Sequence, residues 1–369
     1  MRSLTKFDVL LYLEQADSFK GLIKLIKRNV LFESINERTI RERVSRLRND
    51  GFMDGMKINM TNPNSVNCLA FLHWMRMRSI DYNKLLDKNV ISVFSHILNN
   101  PNTLFKYLAR STKLSKPTLL NIIDFLNSCG FIKIIKKKPM VLKTNINDSV
   151  FFYINLLGLP LESFESQYNI QKLPTIHSKR IVEKLIKLHV YSTTVTEGNT
   201  ASERDVERVF ENNPVNLTPR EITEILNARK AINYLYEIFG EQLNIFEIKK
   251  IHKILMTNLM ENSGEIYYGA KRVIGSETRF PSSRNEIDYS ISALFNFIKK
   301  YDDKLNPLIL ASMAHFIFVT IHPFADGNGR VARLIHSWIL LKSKLSLFVF
   351  DPNKRNLYFD ALERGRKEN

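Results

Sequence analysis

Cysteine is nearly absent from this chain of 369 residues, which holds two, Cys68 and Cys129. Two isolated thiols make neither a disulfide framework nor a zinc site, and each sits in an apolar helical stretch where cysteine packs as a small hydrophobe. Also missing is any apolar run of the ~20 residues that a membrane-spanning helix requires. The nearest approach, Val150 to Leu161, is too short and contains Gly158 and Pro160. Met1-Arg2-Ser3 leads straight into an amphipathic pattern, so no secretory leader is read, and a cytoplasmic chain without membrane contact is expected. Acidic residues are scarce as well: 37 Asp/Glu stand against 54 Lys/Arg, a net charge of +17. Residues 1–150 hold 25 basic against 12 acidic side chains, so +13 of the excess lies there. A basic portion points toward nucleic acid, because phosphate contacts are the main sequence-independent source of affinity. Otherwise the composition, 44% hydrophobic and 25% charged, is that of an ordinary globular protein with chain enough for two or three domains.

The N-terminal portion repeats itself. Thr39-Ile40, Val44, Leu47 and Gly51-Phe52-Met53 recur as Thr118-Leu119, Ile123, Leu126 and Gly130-Phe131-Ile132, always 79 residues on. A constant offset means a duplicated unit. In each copy, apolar spacing of three and four predicts a helix that Gly51 or Gly130 stops, followed by a β-prone segment. That segment is Phe52 to Ile58 in the first copy, a hairpin by its pattern. In the second it is Phe131 to Ile135, then the basic run Lys136-Lys137-Lys138, then Met140-Val141-Leu142. Two shorter helices precede each, roughly 5–14 and 19–27, then 89–98 and 102–110.

Three helices and a wing resemble a winged helix-turn-helix, in which the third helix enters the DNA major groove. The first copy is the better candidate for duplex DNA. Its third helix carries Arg38, Arg41, Arg43, Arg46 and Arg48 between the core positions Ile40, Val44 and Leu47, and arginine suits both phosphate and guanine. The second copy's third helix is nearly uncharged, so that unit clamps the backbone, mediates dimerisation or merely packs. The expected layout is a winged unit at 1–62, a connecting helix at 63–83, a second winged unit at 84–146 and a linker at 147–177. The remaining residues, 178–369, form a mainly helical domain.

That last part is organised around Ile321-His322-Pro323-Phe324-Ala325-Asp326-Gly327-Asn328-Gly329-Arg330-Val331-Ala332-Arg333. Apolar runs on either side read as helices, so the stretch is a helix–loop–helix. Gly327 and Gly329 allow positive φ, and amides there can converge on an anion beside the start of the second helix. Arg330 and Arg333 are three apart, on one helix face, and both can reach a polyphosphate. Asp326 can hold the Mg²⁺ such a group carries, and His322 can accept a proton near neutral pH.

The pattern His-x-Phe-x-Asp-Gly-Asn-Gly-Arg-x-x-Arg resembles the core motif of the Fic family, whose members mostly transfer AMP from ATP to protein hydroxyls. The resemblance covers about residues 178–369. It implies an all-helical Fic fold with a β-hairpin flap, ATP as substrate with Mg²⁺, and His322 as the base. Asp326 would hold the metal, while Gly327, Asn328 and Gly329 would hold the α-phosphate and Arg330 and Arg333 the outer phosphates. Phe324 would anchor the loop. Thr193-Thr194-Val195-Thr196-Glu197-Gly198 is similar to the family's inhibitory helix, here 178–199, in which the glutamate pairs with the second arginine and displaces the γ-phosphate. Gly264 to Pro281 breaks the helical period and reads as a hairpin. It resembles the flap that covers the nucleotide, hence the assignment of Ile274 and Gly275 to ATP binding, and that takes an extended target segment by strand addition. Lys271 stands where the family has an aromatic residue. Tyr358 would lie near the adenine, with Arg366 eight residues on, while His315 is read as packing. The implied function is protein adenylyltransfer, with the chain itself among the compatible targets and a homodimer also compatible. The alternatives are a DNA-binding transcriptional regulator whose Fic half senses nucleotide, an enzyme that removes AMP, and winged helices that dock a protein.

Overall fold

In a computed structural model, residues 3–161, 179–273 and 276–367 are described. The chain divides into two compact units, Met1–Pro160 with Asp288–Asn296, and Leu161–Ile287 with Phe297–Glu368.

The first unit opens with α1 (Lys6–Leu13), α2 (Phe19–Lys27) and α3 (Glu37–Asn49). Each starts where a short polar side chain accepts a free amide: Thr5 in a reciprocal box with Asp8, then Ser18, then Asn36. On α3, Ile40, Val44 and Leu47 are buried, the face that the spacing predicts. Gly51, at φ 74°, ends the helix, and β1 (Met53–Asp54) pairs antiparallel with β2 (Lys57–Ile58). Then come α4 (Pro63–Met77), α5 (Tyr82–Leu85), α6 (Lys88–Asn99), β3 (Thr103–Leu104), α7 (Phe105–Thr112) and α8 (Lys116–Ser128). The strands β4 (Ile132–Lys137) and β5 (Met140–Thr144) complete a sheet of order β3-β5-β4. Lys136 and Lys137, read as a basic run beyond the strand, are part of β4 and pair with β5.

The duplication extends further than the sequence match. Helices α3 and α8 have 13 residues each, and Gly51 and Gly130 share φ 74°. The Gly51 carbonyl accepts from the side-chain amides of Asn59 and Asn62, and the Gly130 carbonyl from those of Asn145 and Asn147. Asn62 and Asn147 then cap the next helices, α4 and α9 (Asp148–Leu157).

The expected linker at 147–177 therefore begins with a helix of the folded unit. Val150, Phe151, Phe152, Tyr153 and Ile154 of α9 are at most 1% exposed. Phe152 lies 4.3 Å from Trp74 and Tyr153 5.6 Å from Phe71, ring centre to ring centre, so the fourth helices of the two copies pack together. Gly158, left-handed at φ 62°, ends α9 as a cap rather than marking a loose connection. Residues 162–178 lie outside the described residues.

The second unit contains α10 (Lys179–Thr196), α11 (Glu203–Phe210), α12 (Pro219–Ile238) and α13 (Ile245–Met256). The last helices are α14 (Arg284–Tyr301), α15 (Pro307–Ile321), α16 (Asn328–Lys342) and α17 (Arg355–Lys367). Helix α16 is buried from Val331 to Leu341, Arg333, His336 and Ser337 included, as expected of a helix enclosed by others. A hairpin is expected between Gly264 and Pro281, but none of the described residues there is in a strand. An isolated two-stranded hairpin is marginal, and this segment spends its polar groups elsewhere. The Tyr267 amide donates to the Pro323 carbonyl at 2.9 Å, and Lys271 Nζ to the Pro281 carbonyl at 3.2 Å.

Candidate active site

The loop between α15 and α16 assembles the site. His322 ends α15 in the left-handed region, φ 54° and ψ 57°, with its amide on the Phe318 carbonyl. Few side chains are held there without a reason, and such residues concentrate at functional sites. Its Nδ1 lies 3.2 Å from the Val319 carbonyl oxygen, which can only accept. The ring proton therefore sits on Nδ1, and the Nε2 lone pair is free. Burial pushes the His322 pKa down to about 4, and the charges of Lys271 and Arg366 act in the same direction. The imidazole is thus neutral throughout the physiological range, instead of titrating near neutrality as the sequence suggests.

Gly327, at φ 76°, is the N-cap of α16 and offers no side chain to the helix. The first amides of α16 consequently lack the acceptors that a helix interior supplies, which makes this end an anion site. A Cβ on Gly327 would stand 2.9 Å from Met256 Sδ, so the loop needs glycine for space as well as for φ. Gly329, expected at positive φ, is instead in the first turn of α16. Its missing Cβ matters for another reason: that atom would lie 2.4 Å from Glu197 Oε1. Asn328, expected to assist at the phosphate, is 2% exposed and turned inward. Its Oδ1 accepts the Phe324 amide at 2.9 Å and its Nδ2 donates to the Phe324 carbonyl at 2.8 Å, closing the loop on itself. Phe324 is fully buried, the anchor expected of it.

Thr193, in the last turn of α10, and Glu197, one residue beyond its end, meet one arginine. Arg333, 1% exposed, donates from Nε to Thr193 Oγ1 at 2.7 Å and from Nη2 to Glu197 Oε1 at 2.5 Å. Gly198, at φ 106°, turns the chain away directly after the glutamate. Arg330, 5% exposed, has Asp326 Oδ2 at 3.4 Å and Glu224 Oε1 at 3.9 Å. Arg330 Nε and Arg333 Nη1 are buried donors without a hydrogen-bond partner. Two fixed cations with spare donors beside an uncapped helix start can receive a multiply charged anion.

The Asp326 side chain is 55% exposed, and its Oδ1 accepts the Gly327 amide at 2.6 Å. Among the described residues there is no group of three or more His, Cys, Asp or Glu that could hold a metal ion. One exposed carboxylate beside a phosphate receptor fits Mg²⁺, which keeps water and substrate oxygens as most of its ligands.

Two participants, Glu224 and His252, carry no sequence signal. Glu224, which approaches Arg330, also accepts from Asn199 Nδ2 at 2.9 Å. His252 bonds the Asp326 carbonyl at 3.0 Å and stacks on Phe324, centroids 3.7 Å apart. Tyr358 is bonded through its hydroxyl to His315 Nε2 at 2.7 Å, so His315 packs while also fixing a ring at the site's rim. Arg366, 6% exposed, donates to Thr320 Oγ1 and the Val319 carbonyl and braces the end of α15 instead of lying open to a base. Ile274 and Gly275 lie outside the described residues.

On α3 the five arginines do not present one free face. Arg38 pairs with Glu42 at 3.3 Å, and Arg41 stacks on Phe19 at 4.5 Å. Arg43 donates to the Leu4 carbonyl and Arg48 to the Gly55 carbonyl. Arg46 is exposed.

Residues 242–340 match the family model described as Fic/DOC family. The chain is 23% identical over 193 residues to a protein adenylyltransferase Fic of Nematostella vectensis, covering 51% of this chain and 45% of that protein. It is 24% identical over 200 residues to the protein adenylyltransferase fic-1 of Caenorhabditis elegans, covering 50% and 37%. The matches thus span less than half the length of these curated relatives. Among solved structures, a Fic domain containing signaling protein from Bacteroides thetaiotaomicron aligns with a TM-score of 0.47 and 22% identity, over 53% of this chain and 77% of that one. The histidine at a helix end, the uncapped glycine turn and the paired arginines all lie inside or beside the matched stretch. Residues 242–340 of this chain carry a Fic/DOC family domain.

Proposed function

We propose that the protein transfers AMP from ATP to a serine, threonine or tyrosine hydroxyl of a protein, itself included, and that Glu197 restrains the reaction. The observation that carries this reading is Arg333, buried, held by Glu197 and sixth in the helix whose free amides face the same space. The names of the relatives at 23–24% identity support the class of reaction.

The α-phosphate would rest on the first amides of α16, and Arg330 and Arg333 would grip the β- and γ-phosphates. Mg²⁺, held by Asp326 and the phosphate oxygens, would neutralise charge developing there. The substrate hydroxyl attacks the α-phosphorus and a new P–O bond forms. The bond from that phosphorus to the β-phosphate bridging oxygen breaks, pyrophosphate leaves, and the hydroxyl proton passes to His322 Nε2. A base held at about 4 is weak, but phosphate charge in the cradle favours the protonated imidazole and strengthens it. Glu197 and a γ-phosphate compete for one guanidinium, so only one can occupy it. The target would lie along residues 264–281, where Tyr267 and Tyr268 are exposed.

The deciding experiment incubates wild-type and Glu197→Gly protein with labelled ATP and Mg²⁺ and maps the label by mass spectrometry. Faster incorporation by the variant is expected, and equal rates would end the restraint claim. A second reading, a DNA-binding regulator that senses nucleotide, is favoured by the exposed Arg38, Arg41, Arg46 and Arg48 on α3. Salt-dependent retention on duplex DNA, with no AMP transfer by Glu197→Gly, would support it. Release of AMP from a labelled protein would instead identify the removing activity.

A further inference from the structure

We infer that His252 is a positioning residue which, as the neutral imidazole protonated at Nε2, fixes the Asp326 loop and the segment after Gly264 to each other. The inference rests on the nucleotide-site reading above. His252 lies on α13, is fully buried, and falls outside the helix–loop–helix motif.

Its hydrogen bonds determine its tautomer. The Gly264 amide donates to Nδ1 at 2.8 Å, so Nδ1 carries no proton. Nε2 therefore carries it and donates to the Asp326 carbonyl at 3.0 Å. The ring also lies flat on Phe324, with an interplanar angle of 1°. Three segments meet on one imidazole: the start of the 264–281 segment, the backbone of the candidate metal carboxylate, and the loop's apolar anchor.

The surroundings are built to admit this contact. Gly264 has φ 86°, and a Cβ there would stand 3.0 Å from the Lys249 carbonyl, so no side chain can replace it without strain. Gly327 passes so close that its Cβ would lie 3.4 Å from the His252 ring. Only a flat side chain with an acceptor at one edge and a donor at the other satisfies both backbone groups. The Asp326 carbonyl is held on one side of its residue, and Oδ1 takes the next amide on the other. The carboxylate direction follows from these two restraints.

Glutamine reproduces the distal donor and asparagine the proximal acceptor, so the two roles can be separated. His252→Gln, His252→Asn and His252→Phe are made in the Glu197→Gly background. Affinity for Mn²⁺–ATP is measured by calorimetry, and tryptic cleavage at Lys271 and Arg272 is timed. His252→Phe, which keeps the stacking alone, is expected to bind about tenfold more weakly and to be cut faster. His252→Gln should recover the affinity but not the protection, and His252→Asn the protection but not the affinity. Equal behaviour of all three, or a phenylalanine variant matching the parent, would reduce His252 to packing. Imidazole ¹⁵N shifts of the unsubstituted chain give a test that needs no variant to fold: an acceptor-type Nδ1 with a protonated Nε2 is expected, and the reverse overturns the inference. A parent that binds Mn²⁺–ATP but transfers no AMP would defeat the proposed reaction while leaving His252 its role. Should the parent bind no nucleotide, the cleavage pattern and the ring shifts still decide.

Discussion

At the scale of single residues, the site consists of groups whose chemistry is set by what they cannot avoid touching. His322 is neutral because it is buried, and its proton sits on Nδ1 because a carbonyl faces that atom. His322→Ala should therefore lower AMP transfer by roughly 100-fold or more while nucleotide affinity stays close to wild type, as a turnover assay beside calorimetry would show. Asn328 has a structural burden of the opposite kind. Its alanine variant loses two buried hydrogen bonds to Phe324 and leaves both backbone groups unpaired, a cost of about 2 kcal/mol. The variant should melt earlier and bind ATP poorly, and an unchanged melting temperature would contradict the loop-closing role. Residue types here were legible in the sequence, because histidine, carboxylate, glycine and arginine at this spacing have few joint uses. Their directions were not. That Gly329 makes room for Glu197 depends on a neighbour far off in the chain, which no local pattern encodes.

Whole elements were readable where their periodicity and stops are local. The 79-residue offset returned both third helices with identical lengths and matching glycine stops. Two segments escaped for opposite reasons. Helix α9 has apolar residues on every side, so it lacks the amphipathic period, and Gly158 and Pro160 read as a linker's punctuation. The 264–281 segment has the breaks of a hairpin, yet its amide partner is the Pro323 carbonyl, 56 residues beyond Tyr267. Membership of α9 in the first unit carries a measurable consequence. Asn147 both caps α9 and donates to Gly130, as Asn62 does one repeat earlier. Asn147→Ala should cost about 1–2 kcal/mol, and Tyr153→Ala about 3–5 kcal/mol, in denaturant unfolding followed through Trp74. No change in midpoint for Tyr153→Ala would restore the linker reading.

Across the molecule, the two units differ in how they meet acid. Five histidines of the second unit are held below their ordinary value. Burial puts His189, His252, His322 and His336 at about 4 and holds His315 well below its ordinary value. An unfolded histidine binds its proton near pH 6.5, so between that value and about 4 the unfolded chain holds more protons than the folded one. Their contribution is complete above pH 6.5 and is lost as pH falls through that window. At pH 5.5 each of the four groups at about 4 forfeits about 1.4 kcal/mol, together roughly 6 kcal/mol, comparable to the whole stability of many domains. The two tryptophans, Trp74 and Trp338, fall one in each unit and separate the responses. In a Trp74→Phe variant, fluorescence from Trp338 should show the melting temperature dropping steeply between pH 7 and pH 5.5. The Trp338→Phe variant, reporting through Trp74, should change far less, since His96 of that unit, whose value burial lowers, is partly exposed. A flat Trp338 profile across this range would mean that the five imidazoles accept protons without unfolding.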